Sequence, residues 1–183
     1  MRNILLTSAA ALAIATPALA QDMSAEMFVA EAANGGLFEV ESSQLAVERA
    51  ENAPIVDFAN QMIEDHTAAN EQLTTIAESE GITVPTEVTG QLGDTLAAID
   101  EAQDDRFEGL YLEGQTTAHR SSIELFQSYA ENGDNPQLVT FAQETLPVLE
   151  MHATMLQDII GADATVTGTV SGDAEAAEPM TAQ

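Results

Sequence analysis

The sequence predicts an all-helical protein, a four-helix bundle with a long crossover between its second and third helices. Three observations carry that prediction. Apolar residues recur at three- and four-residue spacing through four long segments. Each segment is bounded by caps, prolines or glycines. Two of the three connections are so short that they must join antiparallel neighbours.

The first predicted helix covers residues 24–50. The second opens at Asn52-Ala53-Pro54, where Asn52 can cap and Pro54 fits the first turn. It runs to Glu80 and stops at Gly81. The third covers 104–131 and ends at Asn132-Gly133. The fourth opens at Asn135-Pro136 and ends at Gly161. Residues 82–103 form the crossover, with Pro85, Gly90, Gly93 and a short helix predicted over 95–101. Two hairpins joined in this way make a ferritin-like bundle, and up-down-up-down order is the alternative. The run from Asn52 to Ala59 echoes that from Asn135 to Ala142, each ending in Phe-Ala. Gly35-Gly36 falls inside the first helix, where it would permit close packing.

The ends of the chain read differently. Residues 1–20 carry Arg2, an apolar stretch over 4–14 and the small-residue signal Ala18-Leu19-Ala20. That is a secretory signal peptide cleaved after Ala20, and the apolar stretch is too short for a membrane span. The domain is then expected over 21–161, in the periplasm and without membrane insertion. Residues 162–183 hold almost no large apolar side chains and read as a disordered acidic tail. No cysteine is present, so neither a disulfide nor a lipidated cysteine enters the account.

Four basic residues face 31 acidic ones, for a formal charge of −27. A nucleic-acid partner needs a basic footprint and is excluded on this balance. The acidity reads first as solubility, since the acids are spread along the chain; attraction of cations is the sharper reading.

The chain has three histidines, His66, His119 and His152, one on each of the last three long helices. The stripe of the second helix is Ile55, Ala59, Met62, His66, Ala69, Leu73 and Ile76. The third helix offers Leu112, Thr116, His119, Ile123, Phe126 and Ala130. The fourth offers Leu138, Ala142, Thr145, Leu149, His152, Leu156 and Ile159. Each histidine therefore lies in an apolar seam. At 1.5 Å rise per residue, all three fall roughly 20–27 Å from a hairpin end, near mid-height. On the first helix Glu39 reaches a similar height among Ala32, Gly36, Ser43, Ala46 and Ala50, small residues that leave room for a carboxylate. Glu41 is the competing acid, on the stripe with Phe38 and Leu45.

Three imidazoles and one carboxylate suit a single transition metal ion, Zn, Fe or Cu. The candidate metal residues are Glu39, His66, His119 and His152, with Asp65 and Met62 as further candidates. The alternative is a structural polar layer, or a pH-sensitive one. The residues three before the histidines are Ile63, Thr116 and Leu149, so the Glu-x-x-His pair of a di-iron site is absent. Pro147 is expected to kink the fourth helix just before His152. No nucleophile triad or phosphate loop is present, so the sequence gives no catalytic residue, and no enzyme is expected. A protein partner is not legible, and a homo-oligomer stays open.

Several runs carry a family resemblance. They are Gly35-Gly36-Leu37-Phe38-Glu39-Val40 with Leu45-Ala46, and Val56-x-Phe58-Ala59-x-x-Met62-Ile63-x-Asp65-His66-x-x-x-Asn70-x-x-Leu73. Phe107-x-x-x-Tyr111, His119 and Phe141-Ala142-x-x-x-Leu146-Pro147-x-Leu149-x-x-His152 complete them. Together they resemble, over about residues 25–160, an exported bacterial domain-of-unknown-function family, number four-one-four-two, often labelled as outer-membrane proteins. The resemblance implies a ferritin-like bundle with no assigned reaction, and its matching positions include Glu39, Asp65, His66, His119, Pro147 and His152. This chain departs from the family in lacking lysine.

Overall fold

The computed structural model describes residues 23–169, and side chains through residue 162. Five helices and no strand are found among the described residues: α1 Ala25–Arg49, α2 Ala53–Ser79, α3 Gly90–Asp100, α4 Asp104–Asn132 and α5 Pro136–Thr169. The four long ones are those predicted, and α3 is the short helix of the crossover, beginning earlier than expected. The signal peptide read over 1–20 and the tail beyond 169 lie outside the described residues. No described helix is long and apolar enough to cross a membrane.

Local chemistry accounts for the ends. Ser24 caps α1 by accepting from the Met27 N–H at 3.3 Å. Asn135 caps α5 through the N–H groups of Gln137 and Leu138, at 2.9 and 3.1 Å. Asn52 holds the cap position of α2 but makes no side-chain cap bond, contrary to the sequence expectation. Gly81 follows α2 at φ 72°, a conformation that favours glycine. The predicted stop at Gly161 is corrected: α5 continues to Thr169. A single glycine costs a helix only about 1 kcal/mol, and many helices end at a residue in a left-handed conformation. Gly161 does not adopt one. Pro147 lies inside α5, which continues through it.

α1 packs on α2 and α4, and α5 packs on α2 and α4, so the hairpins α1–α2 and α4–α5 lie face to face. The crossover runs from one end of the bundle to the other. Ile82 and Val84 pack in the cluster of Phe28, and Val88 and Ile99 in the cluster of Phe107. Arg49 fixes the far end. Its guanidinium donates to the carbonyls of Ile99, Asp100 and Ala102 and lies 4.3 Å from the Phe107 ring centre. That aromatic and carbonyl cradle holds a cation the sequence reading passed over.

Two apolar clusters fill the bundle ends. Phe28 stacks on Tyr129 at 4.0 Å and meets Phe126 edge-on at 5.1 Å, with Leu73 and Phe141 around them. At the other end Ile55, Phe58, Met62, Phe107 and Leu156 pack together. The echoed Phe-Ala pairs are both buried, one in each cluster. A Cβ on Gly36 would come within 2.0 Å of Asn70 Oδ1, so α1 and α2 approach closely there, as the small-residue stripe predicts. The seam of α4 overlaps the predicted one, with Leu112, His119 and Phe126 buried as expected. Thr116 is exposed, while Tyr111, Gln115 and Ala118 are buried beside His119.

Candidate metal centre

Between the two clusters the core turns polar. His66 from α2, His119 from α4 and His152 from α5 converge, with ring centres 5.5–5.6 Å apart in all three pairs. Each offers one ring nitrogen, and those nitrogens lie within 4.8 Å of one another. His119 and His152 are 1% and 0% exposed, and His66 is 7%. The equal heights inferred from residue counts therefore bring the rings together.

The surroundings decide which nitrogens are free. His119 Nδ1 donates to the Gln115 carbonyl at 3.1 Å, leaving Nε2 with its lone pair. His152 Nε2 donates to Asp65 Oδ2 at 2.8 Å, leaving Nδ1. Asp65 is itself held by the Gln61 amide at 2.7 Å. His119 Nε2, His152 Nδ1 and His66 Nε2 are buried without a hydrogen-bond partner. The acids stand behind the rings. Glu39 Oε1 lies 3.3 Å from His119 Nδ1 without hydrogen-bonding geometry, and neither of its oxygens has a hydrogen-bond partner. Glu41 is half-exposed and lies off the cluster, so Glu39 is the acid that faces it. Met62 is fully buried in the apolar cluster with Ile55 and Phe58.

Electrostatics keep the rings neutral. Burial pushes His66 well below the ordinary imidazole range, and the neighbouring charges of His119 and His152 push it further. Burial, with His152, takes His119 down to about 4 against the opposing Gln115 carbonyl. Burial also lowers His152, opposed by Asp65. Neutral imidazole is the ligand form. Glu39 is held well above the carboxylate range by burial.

Sequence reasoning missed Gln115 and Ser42. The Gln115 amide donates to Ser42 Oγ at 3.0 Å, and Ser42 donates to the Phe38 carbonyl. Gln115 is one turn before His119, a spacing that could have flagged it. Tyr111 and Ser43 pair at 3.0 Å in the same layer.

Two of the three histidines border a cleft. This cleft of about 210 Å³ between α2 and α5 is lined by Asp65, His66, Ala69, Glu144, Thr145 and His152, among others. Phe58 packs on the rings of His119 and His152, at 6.4 and 6.5 Å between centres. A larger groove of about 880 Å³ between α1, α3 and α4 touches none of the three histidines.

The sequence pattern of the family described as Domain of unknown function (DUF4142) matches residues 8–159. The chain belongs to the DUF4142 family. Two solved structures are similar to this DUF4142 protein. One is a DUF305 fragment from Deinococcus radiodurans, at TM-score 0.66 and 10% identity, covering 75% of this chain and 95% of that one. The other is CopM in the Cu(II)-bound form, at TM-score 0.61 and 13% identity, covering 73% and 93%. At such identities the likeness is one of fold. No curated protein matches the DUF4142 chain.

Proposed function

We propose that this is an exported, periplasmic protein that binds one transition metal ion, copper, zinc or iron, through His66, His119 and His152. One observation carries the reading: three buried, neutral imidazoles each keep an unpartnered nitrogen, and the three rings offer ring nitrogens within 4.8 Å of one another. A buried polar atom left unpartnered costs about 1–3 kcal/mol. An ion recovers that cost at all three nitrogens. An ion centred in the triangle would lie within about 2.8 Å of each nitrogen, so movements under about 1 Å reach the ~2.0–2.1 Å of a metal–imidazole bond. Asp65 and Glu39 then act behind the ligands, orienting His152 and facing His119. The Cu(II)-bound state of CopM, a similar fold, makes copper the first ion to test. The two hairpins and end-to-end crossover support a ferritin-like bundle.

The test is elemental analysis of mature protein purified from the periplasm without tag or chelator. About one equivalent of metal is expected, lost in the His66→Ala/His119→Ala/His152→Ala variant while the helical circular dichroism persists. Wild-type protein that neither carries metal nor takes up Zn, Cu or Fe would sink the reading. Amino-terminal sequencing of that protein should begin at Gln21.

A second reading is a non-enzymatic envelope protein in which the histidines form a polar core layer. The His152–Asp65 and His119–Gln115 bonds favour it, since they hold two rings without an ion. It predicts histidine variants that change stability alone.

A further inference from the structure

We propose that an ion held by the three histidines keeps one coordination position open to a small neutral donor, reached through the cleft between α2 and α5. The inference rests on the metal-binding reading and concerns the side from which that site exchanges ligands.

Four observations support it. Among the described Asp, Glu, Cys and His side chains, the group that could hold an ion is the three histidines and nothing more. Three protein nitrogens leave a fourth position unfilled, the pattern of sites that exchange a ligand rather than closed structural ones. The acids nearest the cluster lie at ring atoms that are not free: Asp65 accepts from His152 Nε2, and Glu39 lies against His119 Nδ1. The surroundings are also lopsided. His66 and His152 border the cleft, whereas His119 does not, and Phe58 packs against the rings of His119 and His152.

The cleft selects by charge and size. Its wall carries Asp65 and Glu144 and neither Lys nor Arg, which favours a cation on its way in and opposes an anion. About 210 Å³ suffices for water or one imidazole-sized molecule. Ala69 on α2 and Thr145 on α5 both line it, and a larger side chain at either would narrow it.

The experiment uses full-length mature protein loaded with Cu(II), followed by electron paramagnetic resonance as imidazole is added, with azide as the anionic comparison. Copper content is measured again after desalting. Wild-type spectra should shift to a single new species with imidazole and respond more weakly to azide. Ala69→Phe and Thr145→Phe should keep one equivalent of copper but bind imidazole at least about tenfold more weakly, roughly 1.4 kcal/mol. Two variants on different helices guard against misfolding of either. A wild-type spectrum that imidazole leaves unchanged, or changes only by stripping copper, overturns the open position. An equal response in both variants overturns the route. Wild-type protein that takes up no copper overturns the metal reading itself, and the inference with it.

Discussion

The aromatic end of the bundle and its middle layer are equally buried and differently built. Around Phe28 the rings of Phe28, Phe126, Tyr129 and Phe141 interlock. In the middle, two oxygens of Glu39, one of Gln115 and one nitrogen from each histidine are buried without a hydrogen-bond partner. All of the unpartnered buried side-chain atoms found among the described residues lie in this layer. The ends supply stability, and the middle consumes it. Such a layer is what the metal-binding proposal sets out to explain.

The largest effect should come from the aromatic end. Phe28→Ala removes a fully buried ring and should cost about 3–5 kcal/mol in urea unfolding. Copper uptake per folded molecule should stay unchanged. Loss of uptake with the fold intact would show that the two regions are not separable.

Acid should attack the middle next. Histidines whose folded values are depressed leave a protein fully stable above the ordinary value of 6.5. That stability is lost as pH falls toward about 4, the value for His119. Metal-free protein should lose of the order of 3 kcal/mol from His119 alone between pH 7 and pH 4. His119→Leu should flatten the acid limb of a denaturation series, and an unchanged limb would place the acid sensitivity elsewhere.

Glu39 has the opposite sign. Its raised folded value contributes stability below the ordinary 4.5, lost as pH rises through the folded value. Glu39→Gln should therefore stabilise metal-free protein at pH 8 by about 1–3 kcal/mol, with little gain at pH 4. A destabilised variant at pH 8 would mean the carboxylate is already compensated. The smallest change is expected from a satisfied pair in the same layer. Tyr111→Phe leaves Ser43 without its 3.0 Å partner and should cost about 1 kcal/mol by thermal melting.

Much of this was legible in the chain. Helix ends follow from Ser24, Asn135 and Gly81, whose chemistry is local. The histidine seams follow from periodicity, and the shared height from constant rise per residue. Small errors came where the signal was weak. Gly161 reads as a stop, but a lone glycine without a left-handed conformation costs a helix only about 1 kcal/mol, and α5 continues through it. The α4 seam takes in Leu112, His119 and Phe126 as predicted, but Thr116 is exposed and Tyr111, Gln115 and Ala118 join it, because two overlapping stripes run through that stretch. Arg49 gave no signal, since its acceptors are backbone carbonyls that carry no sequence identity.

The sequence by itself determined the helices, the faces that pack and the level at which three histidines meet, because those depend on a repeat internal to each helix. Only the tertiary structure decided that Asp65 takes one nitrogen of His152, that the Gln115 carbonyl takes one of His119, and that Glu39 stands behind the rings. Those choices depend on how neighbouring helices are rotated and offset by an ångström or two, and that is set by packing between helices rather than by any pattern along one.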